Sequence, residues 1–178
     1  MAAEAPAERP SGFVFRDANV FIGRPMLKGA YPPLPDAAAL RAQMRTSGIA
    51  GGLVWHTAQH DGSAEEGNRL LAEAIHEEEG LTGCWAVLPP GVDELIGGDF
   101  FARMKRNRIT ALRAFPDSHR YFLNRVVFGA FFDDVAERRI PVLLSLEHGV
   151  TWPAVYAFLQ DYPKLTCILC DIGGWSAD

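Results

Sequence analysis

The sequence predicts the α/β class with a parallel sheet, and three observations carry that reading. Apolar strand-like runs alternate with amphipathic helical patterns along the whole chain of 178 residues. The strand-like runs are nearly continuous in their hydrophobicity, as suits parallel strands covered on both faces. No composition break marks a linker, and the length suits one domain rather than two. The expected organisation is a disordered lead-in over residues 1–12 and a single domain over residues 13–178.

Taken in order, strands are expected over Phe13 to Gly23, Gly51 to His56, Thr82 to Leu88, Ile109 to Phe115, Pro141 to Glu147 and Leu165 to Ile172. Each is rich in Val, Ile, Leu, Phe or Cys and is bounded by Gly, Pro or Asp, which punctuate extended structure. The first helix, Asp36 to Thr46, has Asp36 as its cap. The second, Ser63 to Glu79, opens on Ser63 with Glu66 three residues on, the spacing of a capping box. In the segment Asp93 to Arg106 the pair Gly97-Gly98 interrupts the pattern, so a helix is expected only from about Asp99. Asn124 to Arg139 places Phe128, Phe131 and Phe132 on one helical face. Trp152 to Tyr162 is opened by Thr151 with Pro153 in its first turn, where a missing N–H costs nothing.

This rhythm has two outcomes, an open doubly wound sheet or a closed barrel. No strand leads into GxGxxG or GxxxxGK[ST], so the phosphate loops that often accompany open sheets are missing. Equally, about six strands are visible where a closed barrel of this type uses eight.

The formal net charge of -5 offers no basic field for counterion release, which argues against nucleic acid as a partner. The opening MAAEAPAERP does not resemble a signal or transit peptide, and no later apolar run reaches the roughly 18 residues of a membrane span. A cytoplasmic location without a membrane partner is the expectation. Cys84, Cys167 and Cys170 are expected to be free thiols, because cysteines three apart on a strand point to opposite faces.

Four stretches together resemble the amidohydrolase-related family, TIM-type barrels that include metal-dependent hydrolases and decarboxylases. RDANVFIG is similar to that family's first strand, typically Asp-x-His-x-His-x-Gly. ITALRAFP resembles the fourth strand, RRIPVLLSLEHG the fifth and YPKLTCILCDIGG the sixth, where His-x-Gly-Gly is usual. The resemblance implies an incomplete (β/α) barrel of TIM type with about six βα units, the family's last two strands being absent from this sequence. It also implies hydrolysis or lysis of small carboxylated or cyclic substrates.

At the family's metal positions the residues differ in one direction. Asn19 and Phe21 stand at the two first-strand histidines, Ser145 at the fifth-strand histidine and Asp171 at the sixth. Phenylalanine and serine supply essentially nothing to a zinc ion, so no cofactor is predicted; Asn19 and Asp171 could offer oxygen for weak divalent binding. Strand parity assigns Asp17, Asn19 and Phe21 to one face, Ser145 with Glu147 to another inward set, and Leu169 with Asp171 to a third.

Arg113, in the apolar fourth strand, either points inward, filling the space a metal would take and balancing Asp171 or Glu147 or binding a substrate carboxylate, or points outward and snorkels between helices. Asp117 and His119, on the loop FPDSHR, are read as an orienter and general base, with helix capping by Asp117 or Ser118 the alternative. Asn19 would orient a carbonyl, and Asp171 completes the catalytic set. His56, at a strand tip, joins Arg113, Ser145, Glu147 and Phe21 as a substrate contact, whereas His60 reads as a solvated loop residue. The alternative is a non-catalytic barrel-derived binding or assembly protein, or a fragment of a longer enzyme. In either case a homo-oligomer or a partner chain would complete the barrel.

Overall fold

The computed structural model describes residues 12–26, 34–91 and 95–171. Most of the expected lead-in therefore lies outside the described residues, as do Ile172, the last residue of the sixth expected strand, and the Gly173-Gly174 that follows it. The chain runs β1 (Phe15–Ile22), α1 (Ala37–Ser47), β2 (Ile49–His56), α2 (Ala58–Asp61), α3 (Ala64–Ile75), β3 (Leu81–Val87) and α4 (Phe100–Arg106). It continues with β4 (Ile109–Ala114), α5 (Arg125–Phe128), α6 (Phe131–Glu137), β5 (Val142–Ser145), α7 (Trp152–Asp161) and β6 (Cys167–Cys170).

All neighbouring strands pair in parallel, in the spatial order β1-β2-β3-β4-β5-β6. The incomplete barrel of TIM type expected from the sequence is corrected by this pairing. The six strands make an open, curled sheet with β1 and β6 as its edges, and among the described residues neither edge pairs on its outer side. Closure into a barrel requires the first and last strands to join through a fixed stagger of hydrogen bonds. Here the strands follow one another in a single winding direction, which curls a twisted sheet without closing it.

Alternation along the strands separates two apolar layers. Val54, Trp85, Val87, Leu112, Ala114, Val142 and Leu144 pack with helix residues such as Leu40, Leu71, Phe100, Phe132 and Phe158. The opposite side of the sheet carries Trp55, Cys84, Ala86, Ala111, Phe115, Leu143 and Cys170. Cys167 packs on the helical side and Cys170 on the other, so the CxxC spacing brings no two thiols together.

The helical layer draws its packing from aromatics. Phe132 lies 4.8 Å from Phe128, 4.9 Å from Phe158 and 5.3 Å from Tyr162, ring centre to ring centre. Each such buried ring contributes about 2–3 kcal/mol of burial beyond its exposed state. The continuous helix expected over Asn124 to Arg139 is broken by Gly129, whose φ of 54° starts a new turn between α5 and α6.

The predicted caps form. Asp36, Ser63 and Thr151 each accept a hydrogen bond from the backbone N–H three residues on, and Asn124, not expected as a cap, does the same for α5. Only half of the expected capping box is present, because the Glu66 carboxylate pairs with Arg69 on the helix surface. Helix α3 ends at Ile75, short of the acidic run Glu77 to Glu79, which would oppose the helix dipole.

At the amino end of the sheet, Arg108 acts as a clamp. Its guanidinium donates to the carbonyls of Ile75, His76, Glu78 and Leu81 at 2.8–3.3 Å, tying α3, the following turn and β3 to the start of β4. Arg16 and Arg41 donate in the same way to Gly80 and Ala50.

Candidate functional site

At the carboxyl ends of the strands, polar side chains converge on one group. Arg113 alternates with Ala111 and Phe115 on the side of the sheet away from the helices, and it is 0% exposed. Its Nη1 donates to Asn19 Oδ1 at 2.6 Å, and its Nη2 lies 3.8 Å from Asp171 Oδ2. The guanidinium carbon sits 4.4 Å from the Trp55 ring centre and 5.2 Å from that of Phe115. A desolvated cation gains most from such ring faces, roughly 2 kcal/mol. Burial lowers the pKa of Arg113, yet a guanidinium stays charged in proteins, so the sheet holds a permanent cation there.

The expectation that Arg113 balances an interior acid is met by Asp171 and not by Glu147. Strand β5 ends at Ser145, and the turn that follows leaves Glu147 exposed and brings His148 inward. Parity along an ideal strand put Glu147 inside; the strand stops too early for parity to apply. Asp171 departs from parity in the opposite sense. Leu169 faces the helical side, and Asp171 reaches the other side because its own φ of 53° turns the chain back after β6. Asn19 is aimed by a bulge, since the β1–β2 pairing shifts register between Asp17 and Val20 and Asp17 Oδ1 accepts the Asn19 N–H at 2.9 Å.

Ser145 links the remaining groups. Its hydroxyl lies 2.7 Å from Asp171 Oδ2 and 2.8 Å from His148 Nδ1. An ionised carboxylate only accepts, so the hydroxyl donates to Asp171 and accepts from His148 Nδ1–H, and the longer 3.4 Å approach of Arg113 Nη2 to Nδ1 is then a contact between two donors and not a hydrogen bond. That assignment leaves His148 Nε2 with a bare lone pair. The His148 pKa is pushed down to about 4 by burial first, then by the Arg113 and His60 charges, with Asp171 and Asp61 opposing. The imidazole is therefore neutral across the neutral range.

His60, expected as a solvated loop residue, instead lies on the short helix α2 with its ring 4.7 Å from that of His148 and 5.1 Å from Phe115. Its Nδ1 meets Asp61 Oδ1 at 2.6 Å and its Nε2 meets the Ser118 hydroxyl at 2.7 Å. The second Asp61 oxygen accepts the Met26 N–H at 2.8 Å. No helix starts at Asp117 or Ser118; residues 116–120 form turns, and Asp117 is exposed, lying against Gly149. His119 keeps both ring nitrogens buried without hydrogen-bond partners, and burial followed by the His60 charge lowers its pKa. His56 turns to its own loop, its Nδ1 accepting the Ala58 N–H, and its pKa is lowered by burial. Phe21 stands at the rim, 38% exposed and 5.6 Å from Trp55.

Arg113, Asn19, Ser145 and Asp171 thus come together, and Asp117, Glu147, His56 and His119 do not join them. Trp55, His60 and Ser118 were not among the expected site residues; of the strand-end pair Glu147-His148, in which parity favoured Glu147, it is His148 that joins the cluster. Trp55 shares the inward parity of its strand, a signal the sequence does carry; the turns that deliver His148 and Ser118 give none. Also absent from expectation is the buried pair Gln59 and Asn68. Asn68 takes the Ala86 N–H and gives to the Ala86 carbonyl, while Gln59 Nε2 donates to Asn68 and to the Cys84 carbonyl.

Among the described residues no group of three or more His, Cys, Asp or Glu is placed to hold a metal ion. The donor set does not fit a divalent ion either, because the shared centre of Asn19, Ser145 and Asp171 is taken by the Arg113 guanidinium. Compared with protein-family models and with curated proteins, the chain finds no match. Among the described residues no helix is long and apolar enough to cross a membrane.

Proposed function

We propose that the chain is a hydrolase of the amidohydrolase type whose protein cation stands in for a divalent metal, acting on a small carboxylated or cyclic carbonyl substrate. The observation that carries the reading is Arg113, a wholly buried charge ringed by Asn19, Asp171, Ser145 and His148 at the carboxyl ends of parallel strands. Open parallel sheets bind ligands at this end. Support for the reaction class comes from the likeness of the strand ends to the amidohydrolase-related family.

Because Arg113 is 0% exposed, its part is to position its neighbours, and direct contact with a substrate carboxylate is left to exposed groups. His148, neutral and oriented by Ser145, takes a proton from water at Nε2. Asn19 Nδ2 gives one N–H to Asp171 Oδ1 at 3.4 Å and has a second to offer the substrate carbonyl oxygen, and Phe21 with Trp55 forms an apolar wall.

The test is a panel of small lactones, cyclic amides and N-acyl carboxylates offered to protein purified in the presence of a chelator. Turnover is expected to survive chelation and to fall about a hundredfold or more in His148→Gln. Turnover that requires added metal, or that ignores the His148 substitution, overturns the reading.

A further inference from the structure

We infer that Ser118, His60 and Asp61 form a second catalytic device, a serine nucleophile with its base and orienting acid, suited to small esters or lactones. The order of contacts carries it. Ser118 Oγ lies 2.7 Å from His60 Nε2, and His60 Nδ1 lies 2.6 Å from Asp61 Oδ1. Nucleophile to one ring nitrogen, acid to the other: this is the geometry by which serine hydrolases are recognised, whatever their fold or chain order.

The surroundings favour the same assignment. Asp61 accepts the His60 Nδ1–H and the Met26 N–H, so its carboxylate is fixed and His60 is held with Nε2 free to accept. Packing edge-on against Phe115 and His148 fixes the ring plane. The hydroxyl to be activated is on an exposed turn, open to an incoming acyl group. The nearby Arg113 cluster differs in this respect, because Ser145 is 1% exposed and gives its proton to a carboxylate.

In the reaction Ser118 Oγ attacks the carbonyl carbon while its proton passes to His60 Nε2. The tetrahedral adduct expels the alcohol oxygen, which takes that proton, and leaves an acyl ester on Ser118. Water, giving a proton to His60 Nε2, then attacks the ester carbon, and Ser118 Oγ leaves with that proton as the carboxylic acid departs. The inference rests on the proposed hydrolase only for its substrate class; the nucleophile stands on its own geometry.

The probe is an alkyl phosphonofluoridate, which forms a phosphorus–oxygen bond to an activated serine with loss of fluoride. One adduct per chain is expected on the peptide that holds Ser118, absent in Ser118→Ala and slowed about a hundredfold in His60→Gln. In Ser118→Cys, alkylation by iodoacetamide at pH 6 is expected to be fast and to slow when His60→Gln is added. A folded protein that takes no label, or labels at a rate indifferent to His60, overturns the inference. Turnover that survives chelation in an unlabelled protein would remove the serine and leave the water-based hydrolase standing. Labelled Ser118 without turnover on the panel would do the reverse.

Discussion

Replacing Arg113 by methionine removes the cation while keeping an unbranched apolar stem, and the group that reports the loss is His148. The two lie 3.4 Å apart, Nη2 to Nδ1. Unit charges at that separation repel by about 5 kcal/mol at an effective dielectric near 20. The guanidinium charge is delocalised and the His148 side chain is 25% exposed, so solvent leaves roughly a third of that, about 1.5 kcal/mol. One pH unit corresponds to about 1.4 kcal/mol. His148, held near 4 in the native protein by burial first and Arg113 second, is therefore expected to titrate about one pH unit higher in Arg113→Met. The assay is the chemical shift of the His148 ring Cε1–H followed by NMR from pH 3 to 8. Arg113→Lys serves as the control, since it keeps the charge and should leave His148 low. An unchanged titration in a folded Arg113→Met, or an equal rise in Arg113→Lys, would refute the coupling.

Three further outcomes follow from the same contacts. His56, His119 and His148 all have pKa values lowered by burial, so the unfolded chain binds protons first as pH falls below 6.5; stability is expected to decline from there toward pH 4. For His148 alone the loss is about 1–2 kcal/mol after discounting for solvent, read from denaturant midpoints, and it should vanish in His148→Gln. Asn68→Ala strands the Ala86 N–H and carbonyl and one Gln59 donor in the interior, and a loss of about 3 kcal/mol is expected in urea unfolding. Gly149→Ala combines a φ of 85° with a Cβ that would overlap the Asp117 side chain; a loss of about 1–3 kcal/mol is expected by thermal melting.

Element types were legible because each rests on local signals. Caps at Asp36, Ser63 and Thr151, apolar runs for all the strands and the phenylalanine spacing now split between α5 and α6 are properties of short windows. What escaped depends on where an element stops. Glu147 lies inside the expected strand by pattern, yet β5 ends at Ser145, and two residues of turn exchange Glu147 for His148. Asp171 reached its expected place for a reason that alternation does not contain, a left-handed residue just past β6. The interior position of Arg113 was readable because a buried cation needs an acid beside it, and Asp171, just past β6 and two strands over from β4, was one of the two acids expected to supply it. Sheet closure was not, since it depends on pairing between the chain's most distant strands, and no local window records that.

The Arg108 clamp has a consequence for how this protein could change over time. It gathers carbonyls from α3, the turn behind it and β3 at the amino end of the sheet, far along the strands from the polar cluster. The order of the strands is thereby anchored at one end, while the turns after β4, β5 and β6 supply the chemistry at the other. Turns at that second end can be exchanged without asking the sheet to re-register. A graft of new sequence over residues 116–120 should therefore yield folded protein with altered reactivity, whereas a single change at Arg108 should cost the fold before it touches the chemistry.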